Sequence, residues 1–139
     1  MVKTDLVLID TSAWLAALRK DFIARVKERI NLLLHNGRVV TVGIIKLELL
    51  GGTKSENEFR RLKEYLESLD YIEIGDSEWE RAYEIAYLLR RKGITVPYTD
   101  ILIAACAATN GCVLVHMDKH FDLIAKEVEV EVESYVSSP

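Results

Sequence analysis

The fold is decided by the stretch LVLIDTS, residues 6–12. Leu6 to Ile9 form a short apolar run, which is typical of a strand buried on both faces of a parallel sheet. Asp10 ends this run, and Ser12 is a suitable N-cap for a helix that continues through Leu18. A strand that passes directly into a helix predicts an α/β fold with Asp10 at the carboxyl end of a strand.

The same passage from strand to helix recurs along the chain and predicts about five strands. Apolar runs at Val39–Val42, 71–74 and 113–115 read as strands, and alternating Glu and Val over 127–133 predicts a fifth, at an edge with one wet face. Helical spacing of apolar residues fills the intervals. Strands that alternate with helices predict a three-layer α/β/α sandwich with a mainly parallel sheet.

Two helix starts carry the spacing of a capping box, in which a Ser is followed three residues later by a Glu. The pairs are Ser55 with Glu58 and Ser77 with Glu80. We expect a helix to begin at each pair. A further helix is predicted from Pro97 to a stop at Asn110.

Length and composition predict one domain. A chain of 139 residues has the size of a single domain, and we expect residues 1–136 to form it, with 137–139 as a disordered tail. The longest apolar stretch, 101–108, is too short to span a bilayer, which takes about 20 residues. Acids at positions 5 and 10 interrupt any signal peptide. We therefore expect a cytoplasmic protein without membrane association, in which Cys106 and Cys112 are buried thiols.

Four acidic residues stand where an apolar run gives way to a helical segment: Asp10, Glu48, Asp100 and Asp118. Open parallel sheets bind ligands outside the carboxyl ends of their strands, so these acids are expected to meet at one edge of the sheet. Whether Glu48 reaches that edge depends on which face its helix turns toward the other acids. Oxygen ligands suit Mg²⁺ or Mn²⁺ rather than zinc. A metal held there would activate water against a phosphodiester. The pattern predicts a metal-dependent nuclease.

Taken singly, these acids and the polar residues near them have simpler structural explanations. Each acid taken alone is better explained as a cap or a loop residue, and only four at corresponding positions favour a site. We expect Asp122 to be a solvated first-turn carboxylate stabilised by the helix dipole. Capping is the expected role of Ser12, and a surface or partly packed role is expected for His116 and His120.

The formal charge of −4 does not exclude RNA as a substrate. It arises from 22 acids and 18 bases, and without the four candidate acids the two counts balance. Lys and Arg supply most of the non-specific affinity for phosphates. The candidates are Arg19, Lys20, Lys46, Arg90, Arg91, Lys92 and Lys119. We expect most of them to be solvated helix faces.

Four short motifs together carry a resemblance to a known family. They are LIDTSAW at 8–14, ELL at 48–50, YTDILIAA at 98–105 and LVHMDKHF at 114–121. In order and spacing they resemble the PIN-domain family, specifically the VapC-type toxin ribonucleases, over nearly the whole chain. In this resemblance Asp10, Glu48, Asp100 and Asp118 match the family's acidic quartet. Thr11 or Ser12 matches its small hydroxyl residue, and His116 departs from a frequent Ser or Thr.

The resemblance implies a Mg²⁺-dependent endoribonuclease that a cognate antitoxin holds inactive, with an antitoxin Arg among the carboxylates and a homodimer formed through apolar helix faces. Two alternatives stay open: a housekeeping PIN nuclease in RNA processing, and a non-catalytic binding module with the same fold. The absence of an added RNA-binding domain favours the toxin, and the complete quartet argues against the binding module. A phosphoaspartate receiver needs paired acids after its first strand, where this chain has Thr11 and Ser12.

Overall fold

A computed structural model describes residues 6–18 and 23–136. The expected tail at 137–139 and the basic candidates Arg19 and Lys20 lie outside the described residues. So do the first two residues of the helix that apolar spacing predicts over 21–36. The strands are β1 (Val7–Ile9), β2 (Val39–Val42), β3 (Asp70–Ile72), β4 (Val113–His116) and β5 (Glu131–Ser134). The helices are α1 (Thr11–Leu18), α2 (Ala24–His35), α3 (Gly43–Gly51), α4 (Glu56–Glu67), α5 (Asp76–Arg91), α6 (Tyr98–Asn110) and α7 (Lys119–Glu127).

The five strands form one parallel sheet in the order β3-β2-β1-β4-β5. In the central strand, Leu8 is paired with Val40 of β2 on one side and with Leu114 of β4 on the other. Every residue of β1 and β2 is buried, and successive side chains point to opposite faces, so helices cover both faces of the sheet. This architecture confirms the predicted α/β sandwich with a mainly parallel sheet.

The strand order reverses between β1 and β4. From β1 the chain builds β2 and β3 on one side of the sheet, and then β4 and β5 on the other. In doubly wound sheets such a reversal opens a crevice outside the carboxyl ends of the two strands that flank it. The loops after Ile9 and His116 therefore border the natural position for a ligand site.

Helix α6 is the most buried helix of the described chain. Its residues from Asp100 to Ala107 are all buried, and it packs against α5. Cys106 on this helix and Cys112 just before β4 are free, buried thiols, as expected. Burial raises the pKa of Cys106 to about 12 and that of Cys112 to about 11, so both remain protonated at neutral pH. No helix within the described ranges is long and apolar enough to cross a bilayer.

Two predicted strands lie elsewhere than expected. The third strand was predicted at 71–74 but spans Asp70–Ile72, where Asp70 is paired with Val40. The fifth lies at the sheet edge, as expected, but begins only at Glu131, because α7 continues to Glu127 and the Val128 amide donates to the Ile124 carbonyl oxygen. The first half of the alternating segment therefore belongs to the helix end and the following loop.

The predicted capping boxes differ in outcome. At α4 the Ser55 hydroxyl accepts from the Glu58 amide at 3.1 Å, although the Glu58 carboxylate accepts from Lys54 rather than Ser55. The box at Ser77 and Glu80 is wrong, because α5 already begins at Asp76. There the Gly75 amide donates to Glu78 Oε1 at 2.9 Å. Asn110 at the end of α6 donates to Glu78 Oε2 at 3.0 Å, so the same carboxylate joins the start of α5 to the end of α6.

Candidate active site

Asp10 begins the site at the carboxyl end of β1. Its amide donates to the carbonyl oxygen of Val115 in β4 at 2.9 Å, which joins the two strands at the reversal point. Asp10 Oδ2 accepts from the backbone amide of Ser12 at 2.9 Å and from the Ser12 hydroxyl at 2.6 Å. Burial raises the pKa of Asp10, and these hydrogen bonds oppose the shift because they stabilise the carboxylate. Asp10, and not Ser12 as predicted, is therefore the capping residue of α1.

Thr11 and Ser12 orient two different acids. The Ser12 hydroxyl donates to Asp10 and accepts from the Met117 amide at 2.9 Å, so it bridges the loops that follow β1 and β4. The Thr11 hydroxyl donates to Glu48 Oε1 at 2.8 Å. This hydrogen bond shows that α3 presents Glu48 toward the start of α1, a point that the sequence left open.

Asp100 lies in the first turn of α6, and its amide donates to the carbonyl oxygen of Pro97 at 3.1 Å. The side chain is only 11% exposed. Burial raises the pKa of Asp100 to about 6, and the charges of Asp118, Asp10 and Glu48 raise it further, in that order of strength, against the opposing effect of His120. Asp100 is thus the residue at which the fields of the other three predicted acids meet.

Asp118 and His120, at the start of α7, form a cluster with Asp100. Asp118 caps this helix, since its Oδ1 accepts from the His120 amide at 3.0 Å. The His120 Nδ1 atom lies 3.0 Å from Asp118 Oδ1 and 3.3 Å from Asp100 Oδ2. One ligand atom from each of these three residues lies within 4.8 Å of the others. His120 is partly buried, as expected, and it also belongs to this cluster, for which its position two residues after the Asp118 cap was the signal.

His116, the last residue of β4, contacts the backbone at Asp118 and the side chain of Asp122. Its ring is fully buried, and its Nδ1 accepts from the Asp118 amide at 3.1 Å. The Nε2 atom lies 3.2 Å from Asp122 Oδ1, and Asp122 Oδ2 accepts from the Ser134 hydroxyl of β5 at 3.0 Å. Burial lowers the pKa of His116, against the opposing charges of Asp122, Asp10 and Asp118, which favours the neutral ring. In a neutral ring whose Nδ1 accepts a hydrogen bond, the proton lies on Nε2. Asp122 is the expected first-turn carboxylate, with a side chain that is 34% exposed, and it also contacts the buried ring of His116.

The cluster fits a hard divalent cation. Asp100 Oδ2 and His120 Nδ1 are buried and, in the part of the chain that the structure describes, have no hydrogen-bond partner of good geometry. An unsatisfied carboxylate oxygen among like charges is costly, and a cation relieves both the repulsion and the missing partner. Carboxylate oxygens dominate the donor set, which suits Mg²⁺ or Mn²⁺.

Comparison with known proteins gives a consistent family and fold. The PIN domain family model matches residues 7–127. A VapC ribonuclease of Mycobacterium bovis, Mb1587, is 33% identical over 133 residues, which are 94% of this chain and 99% of that protein. The VapBC2 structure from Rickettsia felis, bound to a promoter DNA fragment, aligns with a TM-score of 0.78 at 19% identity, covering 94% of this chain and 98% of that chain. VapC20 of Mycobacterium tuberculosis, a sarcin-ricin loop cleaving toxin, aligns with a TM-score of 0.63 at 23% identity, covering 90% and 98%.

Proposed function

Because this chain belongs to the PIN domain family, we propose that it is an endoribonuclease. In this proposal it hydrolyses RNA phosphodiester bonds and depends on Mg²⁺. The catalytic and metal-binding residues that we propose are Asp10, Glu48, Asp100 and Asp118. The observation that carries this proposal is the electrostatic convergence on Asp100, whose buried Oδ2 lacks a hydrogen-bond partner among the described residues. The ribonuclease names of the curated relatives support the reaction class.

In the proposed site, the chain's own residues hold the carboxylates in place for Mg²⁺, with Mn²⁺ as a substitute. Ser12 fixes Asp10 through two hydrogen bonds, Thr11 fixes Glu48 through one, and His116 fixes the backbone at Asp118. Asp100 is held by the first turn of α6. When bound, Mg²⁺ supplies a water of lowered pKa and stabilisation of the leaving oxygen.

The metal test uses labelled single-stranded RNA with Mg²⁺, Mn²⁺ or EDTA. We expect cleavage only with a divalent cation, and its loss in Asp10→Ala and Asp100→Ala. Glu84→Gln is the matched control, because Glu84 is an exposed acid on α5 outside the cluster. Cleavage that survives complete chelation, or persists in both Ala variants, contradicts the mechanism.

We further propose that the chain is the toxin of a type II toxin-antitoxin module in the cytoplasm. A small antitoxin would cover the carboxylates and place an Arg among them, and the toxin would form a homodimer through apolar helix faces. The like-charged cluster supports an inserted cation. A cavity of about 460 Å³ supports an adjoining apolar partner, since Glu48 borders it together with Leu15, Leu49 and Leu62.

The partner test asks whether expression of the protein alone arrests growth and whether a small neighbouring reading frame relieves the arrest. Size-exclusion chromatography with light scattering then measures the mass of the toxin and of the complex. We expect growth arrest, rescue and a stable complex. Unaffected growth together with no binding neighbour favours the housekeeping nuclease instead.

A further inference from the structure

The most exposed aromatic rings of the described chain lie on α5 and at the start of α6, the helix that carries Asp100. Tyr98, the first residue of α6, is 73% exposed, and Tyr87 near the end of α5 is 65% exposed. Tyr98 and Asp100 share the first turn of α6, although residues two apart point to different sides of a helix. RNA held on Tyr98 would therefore pass along the helix start that carries Asp100.

The two tyrosines stand at the rim of one cavity. Its volume is about 570 Å³, and Ile94, Val96 and Ile101 contribute an apolar floor between α5 and α6. Arg90 also lines this cavity, and the Arg91 guanidinium lies 5.4 Å from the centroid of the Tyr87 ring. Aromatic rings with arginines beside them provide both stacking surfaces and positive charge for a single strand.

The positive charge of Arg90 and Arg91 remains available to a ligand. Among the described residues, no carboxylate forms an ion pair with either guanidinium. Lys92, by contrast, is engaged, since it binds Glu127 at 2.5 Å. The two arginines therefore offer phosphate contacts next to an apolar floor.

Trp79, Tyr83 and Tyr87 form an exposed aromatic stripe along α5, and the charge of the residues beside this stripe changes along the helix. Trp79 and Tyr83 continue the spacing of Tyr87 toward the start of the helix, but Glu80 and Glu84 lie beside them. Acids there oppose a phosphate backbone, whereas Arg90 and Arg91 attract one. Only the carboxyl end of the stripe is complementary to RNA, which makes Tyr83 a matched control.

We propose that Tyr87, Tyr98, Arg90 and Arg91 form a stacking platform that binds single-stranded RNA next to the acidic cluster. This inference rests on the proposed function and adds the surface that holds the substrate. A second copy of the chain is the less favoured occupant. A two-fold contact centred on this platform would bring Arg90 and Arg91 toward their own copies, and like charges across an interface are unfavourable.

The test measures binding of a fluorescein-labelled single-stranded RNA by anisotropy in EDTA, where the proposed cleavage does not occur. We expect Tyr98→Ala and Tyr87→Ala each to weaken binding about tenfold, and Tyr98→Phe to bind within about twofold of wild type, because stacking requires the ring and not the hydroxyl. Tyr83→Ala should also bind like wild type. Arg91→Gln should reduce the slope of log affinity against log salt by about 0.7.

Three results overturn the platform. They are wild type that fails to bind single-stranded RNA, Tyr98→Ala that binds as tightly as Tyr83→Ala, and Tyr variants that convert a dimer to a monomer in light scattering. The last result assigns the surface to a second copy. Binding without metal is independent of cleavage, so RNA that is bound but never cut with Mg²⁺ contradicts the proposed function and leaves the platform standing.

Discussion

At the scale of single residues, Asp100 has the most unusual environment of the four acids. The pKa of Asp100 is raised to about 6 by burial and by three neighbouring acids, from an ordinary value of 3.8. The folded state therefore holds the Asp100 proton more tightly than the unfolded chain does. The ionised carboxylate destabilises the metal-free fold above pH 6, and this penalty disappears as the pH falls below 3.8.

Replacement of Asp100 by Asn is predicted to stabilise the metal-free protein. In EDTA at about pH 8 we expect a gain of up to about 3 kcal/mol in the free energy of unfolding, which falls toward zero near pH 4. Chemical denaturation of both proteins across this pH range provides the measurement. Asp100→Ala is the control for lost capping, since Asn retains a cap that Ala does not.

Mg²⁺ is predicted to stabilise wild type more than Asp100→Asn. A ligand that binds only the folded state raises the melting temperature with its concentration, and the variant lacks one proposed carboxylate ligand. Thermal melts across a Mg²⁺ titration measure the difference. An equal response of wild type, Asp100→Asn and Asp100→Ala, together with RNA cleavage by both variants, would show that Asp100 is structural.

At the scale of elements, the start of α7 depends on a buried imidazole. His116 accepts from the Asp118 amide, and its other nitrogen lies beside Asp122. His116→Leu leaves the buried side of this helix start without an acceptor, so we expect a loss of about 1–3 kcal/mol in urea denaturation. His116→Asn keeps a side-chain acceptor two residues before the amide and should lose less. Equal losses in the two variants would mean that only the volume of the ring matters.

The edge strand β5 depends on a contact with α2. Glu133 binds Arg29 through two hydrogen bonds of 2.9 and 3.0 Å and also accepts from the Tyr135 hydroxyl at 2.7 Å. Burial raises the pKa of Glu133, but these hydrogen bonds outweigh it and the net pKa is lowered. The Arg29 contact therefore fixes an edge strand that, among the described strands, is paired with β4 alone.

Removal of Arg29 is predicted to loosen this edge. The two side chains are 37% and 29% exposed, so we discount the interaction for solvent and expect Arg29→Ala to cost about 1 kcal/mol. Hydrogen exchange should increase at 131–134 before it increases in β1. Arg60→Ala is the control, since its pair with Glu56 is 72% and 82% exposed and should change stability little. Unchanged exchange in Arg29→Ala would assign the edge to backbone pairing alone.

At the scale of the whole molecule, one continuous core encloses both cysteines. Cys106 is 0% exposed and Cys112 is 3% exposed, and burial raises the pKa of both thiols well above neutral pH. Because the thiolate is the reactive form, neither thiol should react in the folded protein. We predict that an alkylating reagent at about pH 8 labels both only after unfolding, with parallel denaturant dependence by mass spectrometry. Labelling of one thiol under native conditions would reveal local opening around it.

The sequence by itself determined the architecture and the positions of the acids along it. Apolar runs, helical spacing and acids after strands are local patterns, and they were enough to predict the parallel sheet and to place Asp10 and Asp118 after its two central strands. The same patterns located the helices but not every end: α5 begins at Asp76, where Glu78 contacts Gly75 and Asn110, and α7 continues to Glu127.

Only the tertiary structure decided how the acids are held. Thr11 reaches Glu48 across 37 residues, Ser12 reaches Met117 across 105, and Arg29 reaches Glu133 across 104. His120 meets Asp100 because α6 and α7 start at the same crevice, and no local pattern encodes that meeting. Periodicity within a segment reports which face is buried, whereas these contacts depend on where the fold places segments that are distant in the chain.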